Sequence, residues 1–173
     1  QNFLVSPQGS ATRRVGTKFI AEVKDSTKKT RLIPFEFSTT QTYVLEFGDQ
    51  YMRVFKDKGQ VLSGGSAFEI STPYLEAELF DIKFAQSADV MYLCHPNHDV
   101  RKLSRSGHTS WTLATVSFTG SPSPAISGAD NRPSCVSFFE QRLVFANTNN
   151  NPQTLFFSKS GDYENMTTGT NAD

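Results

Sequence analysis

The chain has 173 residues, 17 Lys+Arg against 17 Asp+Glu, and a formal net charge of zero at pH 7. That length can bury one good core, and the charge balance argues against general affinity for nucleic acid or an anionic membrane surface. Two cysteines are too few for a disulfide framework, no CxxC pair marks a metal knuckle, and no apolar run approaches the roughly 18 residues of a membrane span. No signal peptide is read in it, and an opening Gln1 leads us to expect a start lost to processing or trimming. With 15 Phe, many Thr, Ser, Gly and Pro turns and no long helix-forming stretch, the chain reads as all-β.

Residues 1–30 are the most basic segment, with Arg13, Arg14, Lys18, Lys24, Lys28 and Lys29 against Glu22 and Asp25. Phe3–Val5 and Lys18–Val23 read as a pair of short strands with a turn at Ser6–Ser10 between them. The cations suit either a surface for phosphates or an acidic partner, or a solvated hairpin rim. Residues 31–62 form a first blade-like unit. Ile33, Phe35 and Phe37 alternate with polar neighbours as a half-buried strand requires. The turn STTQ leads into Tyr43–Phe47, and Gly48-Asp49 reverses the chain into Tyr51–Phe55. There Tyr51, Arg53 and Phe55 share one face and Met52 and Val54 the other. Lys56–Gly59 is a further turn, and Val61-Leu62 a fourth strand.

Residues 63–120 hold a connector and a second unit. Ser63–Ser66 is a turn, Phe68–Ile70 a short strand and Thr72–Asp81 one helical turn. Glu69, Glu76, Glu78 and Asp81 make this connector the acidic counterpart of the N-terminal segment. Opposite patches on a neutral chain either complement each other between identical subunits, head to tail, or serve solubility. Runs at Val90–Cys94 and Val100–Leu103 and the alternating His108–Phe118 supply the second unit's strands. Residues 121–133 form a loop long enough to be a contact arm. Residues 134–166 form a third unit, with runs at Leu143–Ala146 and Thr154–Phe157. Residues 167–173 read as a disordered tail.

The three units repeat one meander. From Phe37 to Gly59, Phe84 to Gly107 and Phe139 to Gly161 the spans are about 22, 23 and 22 residues, with starts about 47 and 55 residues apart. A strand meander recurring every 40 to 50 residues or so is the signature of propeller blades.

Little chemistry is legible. Cys94-His95-Pro96-Asn97-His98-Asp99 is the one cluster of metal-type side chains. Its spacing matches neither a helical HExxH pair nor a zinc knuckle, and no second sequence cluster completes a shell. Ser66, Ser110 and Ser121 lack a nucleophile-elbow context. No phosphate-binding glycine loop is present. Glu36, Glu46, Asp49, Glu69 and Asp81 give no pair assignable to glycoside hydrolysis. Tyr74 and Trp111 suit either sugar stacking or core packing. No catalytic residue, cofactor or metal ligand is therefore assigned. The residues chosen for subunit or partner contact, from charge and exposure, are Arg13, Arg14, Lys18, Lys28, Lys29, Glu76, Glu78 and Trp111.

Several segments together resemble a known family. Asn2–Gly9 followed by Arg13–Phe19 resembles the opening of the tail nozzle proteins of short-tailed phages, the tail tubular protein B family. Tyr43–Phe55 resembles their first blade and Asp81–Leu93 their second. Phe138–Phe145 with Leu155–Tyr163 resembles a later segment, in which an "xxRL" strand precedes an "SxxxxY" strand. A class of prophage tail proteins is more similar still. The resemblance implies a non-enzymatic structural protein of the virion tail, assembled in the host cytoplasm into a ring, usually of six, below the portal and adaptor. Its partners would be identical subunits, the portal or adaptor and other tail proteins. Phage DNA would pass through the ring without sequence readout, and no membrane insertion is implied. The family's members are several times longer, and a propeller usually needs at least four blades. We therefore expect an incomplete, partial β-propeller: an N-terminal fragment of a longer protein, a shortened relative, or an open arc completed by a partner. The alternatives are a carbohydrate-binding or carbohydrate-cleaving propeller engaging the host envelope, and a generic protein-interaction propeller.

Overall fold

In the computed structural model of the chain, which describes residues 3–38, 41–120, 122 and 124–168, the alternating segments form antiparallel strands, and the chain is all-β. β1 (Phe3–Val5) and β2 (Ala11–Arg13) make an exposed hairpin. The strand expected at Lys18–Val23 does not form. Ile20, Ala21 and Val23 line the outer face of the first sheet instead of lying along an edge, so their backbone has no ladder to join.

The first sheet runs β3 (Arg31–Ser38), β4 (Gln41–Gly48), β5 (Tyr51–Lys56) and β6 (Gly59–Gln60) in order. At Gly48, the last residue of β4, the Tyr51 ring fills the space of a side chain, and an added Cβ would lie 2.1 Å from it. The fourth strand expected at Val61-Leu62 is replaced. Leu62 enters β7 (Leu62–Ser63), which doubles back through Gly64-Gly65 onto β8 (Ser66–Ala67). The place beside β5 is shared by β6 and β9 (Glu69–Ser71).

A one-turn 3-10 helix, Glu76–Glu78, leads into the second sheet. This comprises β10 (Lys83–Ser87), β11 (Val90–His95), β12 (His98–Gly107) and β13 (Ser110–Thr115), hydrogen-bonded in that order. The third sheet is β14 (Cys135–Phe139), β15 (Arg142–Ala146) and β16 (Leu155–Phe157). The meander thus recurs as three antiparallel sheets, although its opening Phe is not equivalent throughout. Phe37 and Phe139 fall at the ends of β3 and β14, whereas Phe84 lies near the start of β10.

The period-2 alternation of strands decides what packs on what. Ile33, Phe35, Tyr43, Leu45, Phe47, Met52 and Val54 point to one side of the first sheet. They share a core with Met91, Leu93, Leu103 and Trp111 of the second sheet and with Tyr74, Leu79 and Ile82 of the connector. The neighbouring positions Tyr92, Cys94 and Val100 point the other way and share a second core with Leu143, Phe145 and Phe156 of the third sheet. The second sheet is therefore buried on both faces, and the three sheets stack in series.

The loop at 121–133 does not project as a free arm in its described part. Ile126 is buried in the second core, and both Gly128 N and Arg132 Nε donate to Asp99 Oδ1, at 3.3 and 3.0 Å. Met166 is also buried there, and its N–H donates to Thr119 O. Of the tail expected to be disordered, residues 169–173 lie outside the described residues.

Candidate functional site

Seven of the eight contact candidates fall into three groups, and Glu78 stands apart from them. Arg13, on β2, and Arg14 and Lys18, in the strandless stretch after it, are exposed and make no ion pair among the described residues. Lys28, Lys29 and Glu76 are engaged within the chain. Lys28 pairs with Asp49, and Lys29 N donates to Glu76 Oε1 at 2.9 Å. With Lys24 paired to Glu69, the basic and acidic segments meet within one chain. Lys28 donates to Asp49, and with the Glu76 N–H it holds that carboxyl below its usual value. The segment 20–30 is thereby fastened across the first sheet.

The third group lies inside. Trp111 is 6% exposed, its ring edge-on to Phe35 and Tyr43 at 4.9 and 5.3 Å, and its Nε1 donates to His108 O at 3.0 Å. As a contact residue Trp111 is thus a correction: register with Arg105 turns it toward the first core, where so large a ring gains most from burial. Tyr74 is fully buried as well, so neither aromatic lies open to a sugar.

Apolar side chains are exposed on the N-terminal hairpin (Phe3, Leu4, Val5), on the connector (Leu62, Leu75, Phe80) and at the two ends of the stack. On the face of the first sheet turned away from the core, Leu32 is 63% exposed and Val44 lies partly open beside it. With Ile20, Val23 and Phe55 they line a groove of about 660 Å³ between the sheet and the N-terminal segment. Glu46 is buried at its floor and accepts from Tyr51 Oη at 2.7 Å. Burial and this bond push the Tyr51 phenol up to about 12. At the far end, Phe139, Leu155 and Phe157 of the third sheet are exposed, Leu155 at 60%. Alternation places Cys135, Ser137 and Phe139 opposite Val136 and Phe138, which pack on the second core. Both terminal sheets thus turn apolar side chains outward.

Glu78, a surface charge by its sequence context, turns toward two histidines. The two-residue turn between β11 and β12 pairs His95 with His98. Alternation sends Cys94 into the second core, and Asp99 faces Arg132. His95 and His98 are left side by side, ring centroids 5.2 Å apart, under the 3-10 helix. Glu78 Oε2 lies 2.8 Å from His98 Nε2 and accepts from Leu75 N, and Glu78 Oε1 accepts from Asn97 Nδ2. Burial works to raise the Glu78 carboxyl, but these bonds outweigh it and hold it at about 2. Burial lowers the pKa of His95. A nitrogen of each histidine and a Glu78 oxygen lie within 4.8 Å of one another. Sequence reading missed this constellation because its third member comes from a connector about twenty residues away. The signal available was the two-residue turn, which puts His95 and His98 on one face.

Neither a protein-family model nor a curated protein matches the chain.

Proposed function

We propose that the chain is a non-enzymatic structural component of a phage tail, part of the nozzle or tail-tube ring, and that it works through its end faces. The observation that carries this reading is the serial stack with apolar side chains open at both ends. A sheet face bearing Phe139, Leu155 and Phe157 loses about 25 cal/mol of stabilisation for each Å² of apolar surface left in water. Inside the stack the same kind of face is covered by the next sheet. At its ends a neighbouring subunit, tail protein or further blade would cover it. The tail assignment itself comes from the family resemblance, and the net charge of zero suits a wall past which DNA must slide without being held. A carbohydrate-binding propeller would use Tyr74 and Trp111 as stacking platforms, and both are buried.

The test is to induce phage particles from the strain that carries the gene, purify them, and quantify their proteins by mass spectrometry. The reading predicts this chain's peptides in the particles at a fixed ratio to the portal protein. Its absence from intact particles, while present in the lysate, would overturn the reading.

A further inference from the structure

We propose that Glu78, His95 and His98 form a binding site for one divalent transition-metal ion of the zinc class. Two imidazoles and a carboxylate are a donor set that suits zinc, cobalt or nickel better than calcium or magnesium, which prefer oxygen alone. The three donor atoms lie within 4.8 Å of one another. Around a tetrahedral ion with bonds of about 2.0–2.2 Å, ligand atoms sit about 3.4 Å apart. The closure required is within reach of side-chain rotations.

The resting geometry shows where an ion would enter. His98 Nε2 and Glu78 Oε2 lie 2.8 Å apart, and since the carboxylate can only accept, the imidazole N–H donates to it. An ion would take that proton's place between them, the proton moving to His98 Nδ1 or to solvent. His95 is buried, and its Nδ1 accepts from Asn97 N–H at 3.1 Å. The ring proton of its neutral form therefore sits on Nε2, which is buried with no partner among the described residues. An orphaned buried N–H is a standing cost. It disappears when Nε2 gives a lone pair to an ion, the ring proton moving to Nδ1 and the bond from Asn97 N–H being given up in exchange for the bond to the ion. The surroundings are already ordered for this role. Leu75 N and Asn97 Nδ2 fix the Glu78 carboxylate, and the Tyr74 ring stands edge-on to His98 at 5.1 Å. Such outer hydrogen bonds aim metal ligands.

Three protein donors leave a fourth position for water or for a partner's side chain. The ion would tie the connector behind the first sheet to the β11–β12 turn of the second, a clamp between two of the stacked sheets.

The test uses the tag-free chain titrated with Co²⁺ and then Zn²⁺, read by visible absorption, calorimetry and thermal unfolding. One Co²⁺ per chain is expected, with the absorption of a four-coordinate ion, displaced by Zn²⁺. At a hundredfold excess over Kd, Tm should rise by about 5–10 °C. His98→Ala and Glu78→Gln should each weaken binding at least tenfold, while His108→Ala, which removes the histidine beside Tyr43, should leave it unchanged. Far-UV circular dichroism of the ion-free variants separates lost binding from lost fold. The proposal is overturned by the absence of saturable one-to-one binding, or by such binding persisting undiminished in folded His98→Ala and Glu78→Gln.

Discussion

Replacing Leu93 with alanine should be among the most damaging single changes in the chain, and the structure gives its size. Leu93 is fully buried on β11, facing the first sheet. Its backbone is held on both sides, opposite Phe84 of β10 and Arg101 of β12. Deleting three side-chain carbons forfeits about 2 kcal/mol of transfer free energy. A strand held on both edges cannot collapse into the space, so a cavity penalty of about 1–2 kcal/mol is added. The sum, about 3–4 kcal/mol, should lower Tm by about 6–15 °C for a chain of this size. Trp111, the only tryptophan, sits in the same core and reports its loss by fluorescence. Urea unfolding of Leu93→Ala should show a lower midpoint at an unchanged slope. The control is Leu32→Ala on the opposite face of the first sheet, where a change within about 0.5 kcal/mol is expected. A Leu93→Ala cost under 1 kcal/mol, or a Leu32→Ala cost as large as that of Leu93→Ala, would refute the assignment of inner and outer faces.

Two further outcomes follow from particular contacts. The Tyr51 phenol is raised by burial and by its bond to Glu46. A group raised above its unfolded value contributes stability that is full below pH about 10 and is lost as pH climbs toward about 12. Tyr51→Phe should therefore be less stable at pH 8, since Glu46 loses its donor, and should show a flatter fall in Tm from pH 10 to 12. An alkaline limb identical to the unmodified chain's would contradict the Tyr51–Glu46 bond. Gly120 has a positive φ of 80°, and an added Cβ would lie 2.7 Å from Thr167 N. Gly120→Ala should cost about 2 kcal/mol or more by prising the 164–167 segment from Thr119. Denaturant unfolding measures it, and an unchanged midpoint would show that the segment is not seated there.

How much was legible depended on whether a strand's fate is set locally. Tyr43–Phe47 and Tyr51–Phe55 carry their apolar runs and turn residues in their own sequence, and both form as paired strands, with Met52 and Val54 on one face as read for the second. Lys18–Val23 reads as a short strand from its apolar residues, but a strand needs an edge to pair with, and the fold offers it a face. Val61-Leu62 failed for the complementary reason, since a competing hairpin through Gly64-Gly65 captures Leu62. Among the site residues, charge identified side chains without saying what they meet. Lys28 and Glu76 looked like surface for a partner and instead fasten the chain to itself. Glu78 finds His95 and His98 only because the connector folds back over the β11–β12 turn, a long-range event that no local window contains.

The outward face of the third sheet as an interface is tested most directly by a natural probe. Of the two free cysteines, Cys135 is exposed on that face and Cys94 is buried. A thiol reagent applied to the free chain should modify Cys135 promptly and Cys94 only on unfolding. In assembled particles the Cys135 reaction should slow at least tenfold, because a neighbour covers the face. Equal Cys135 reactivity in the free chain and in intact particles containing it would contradict the interface.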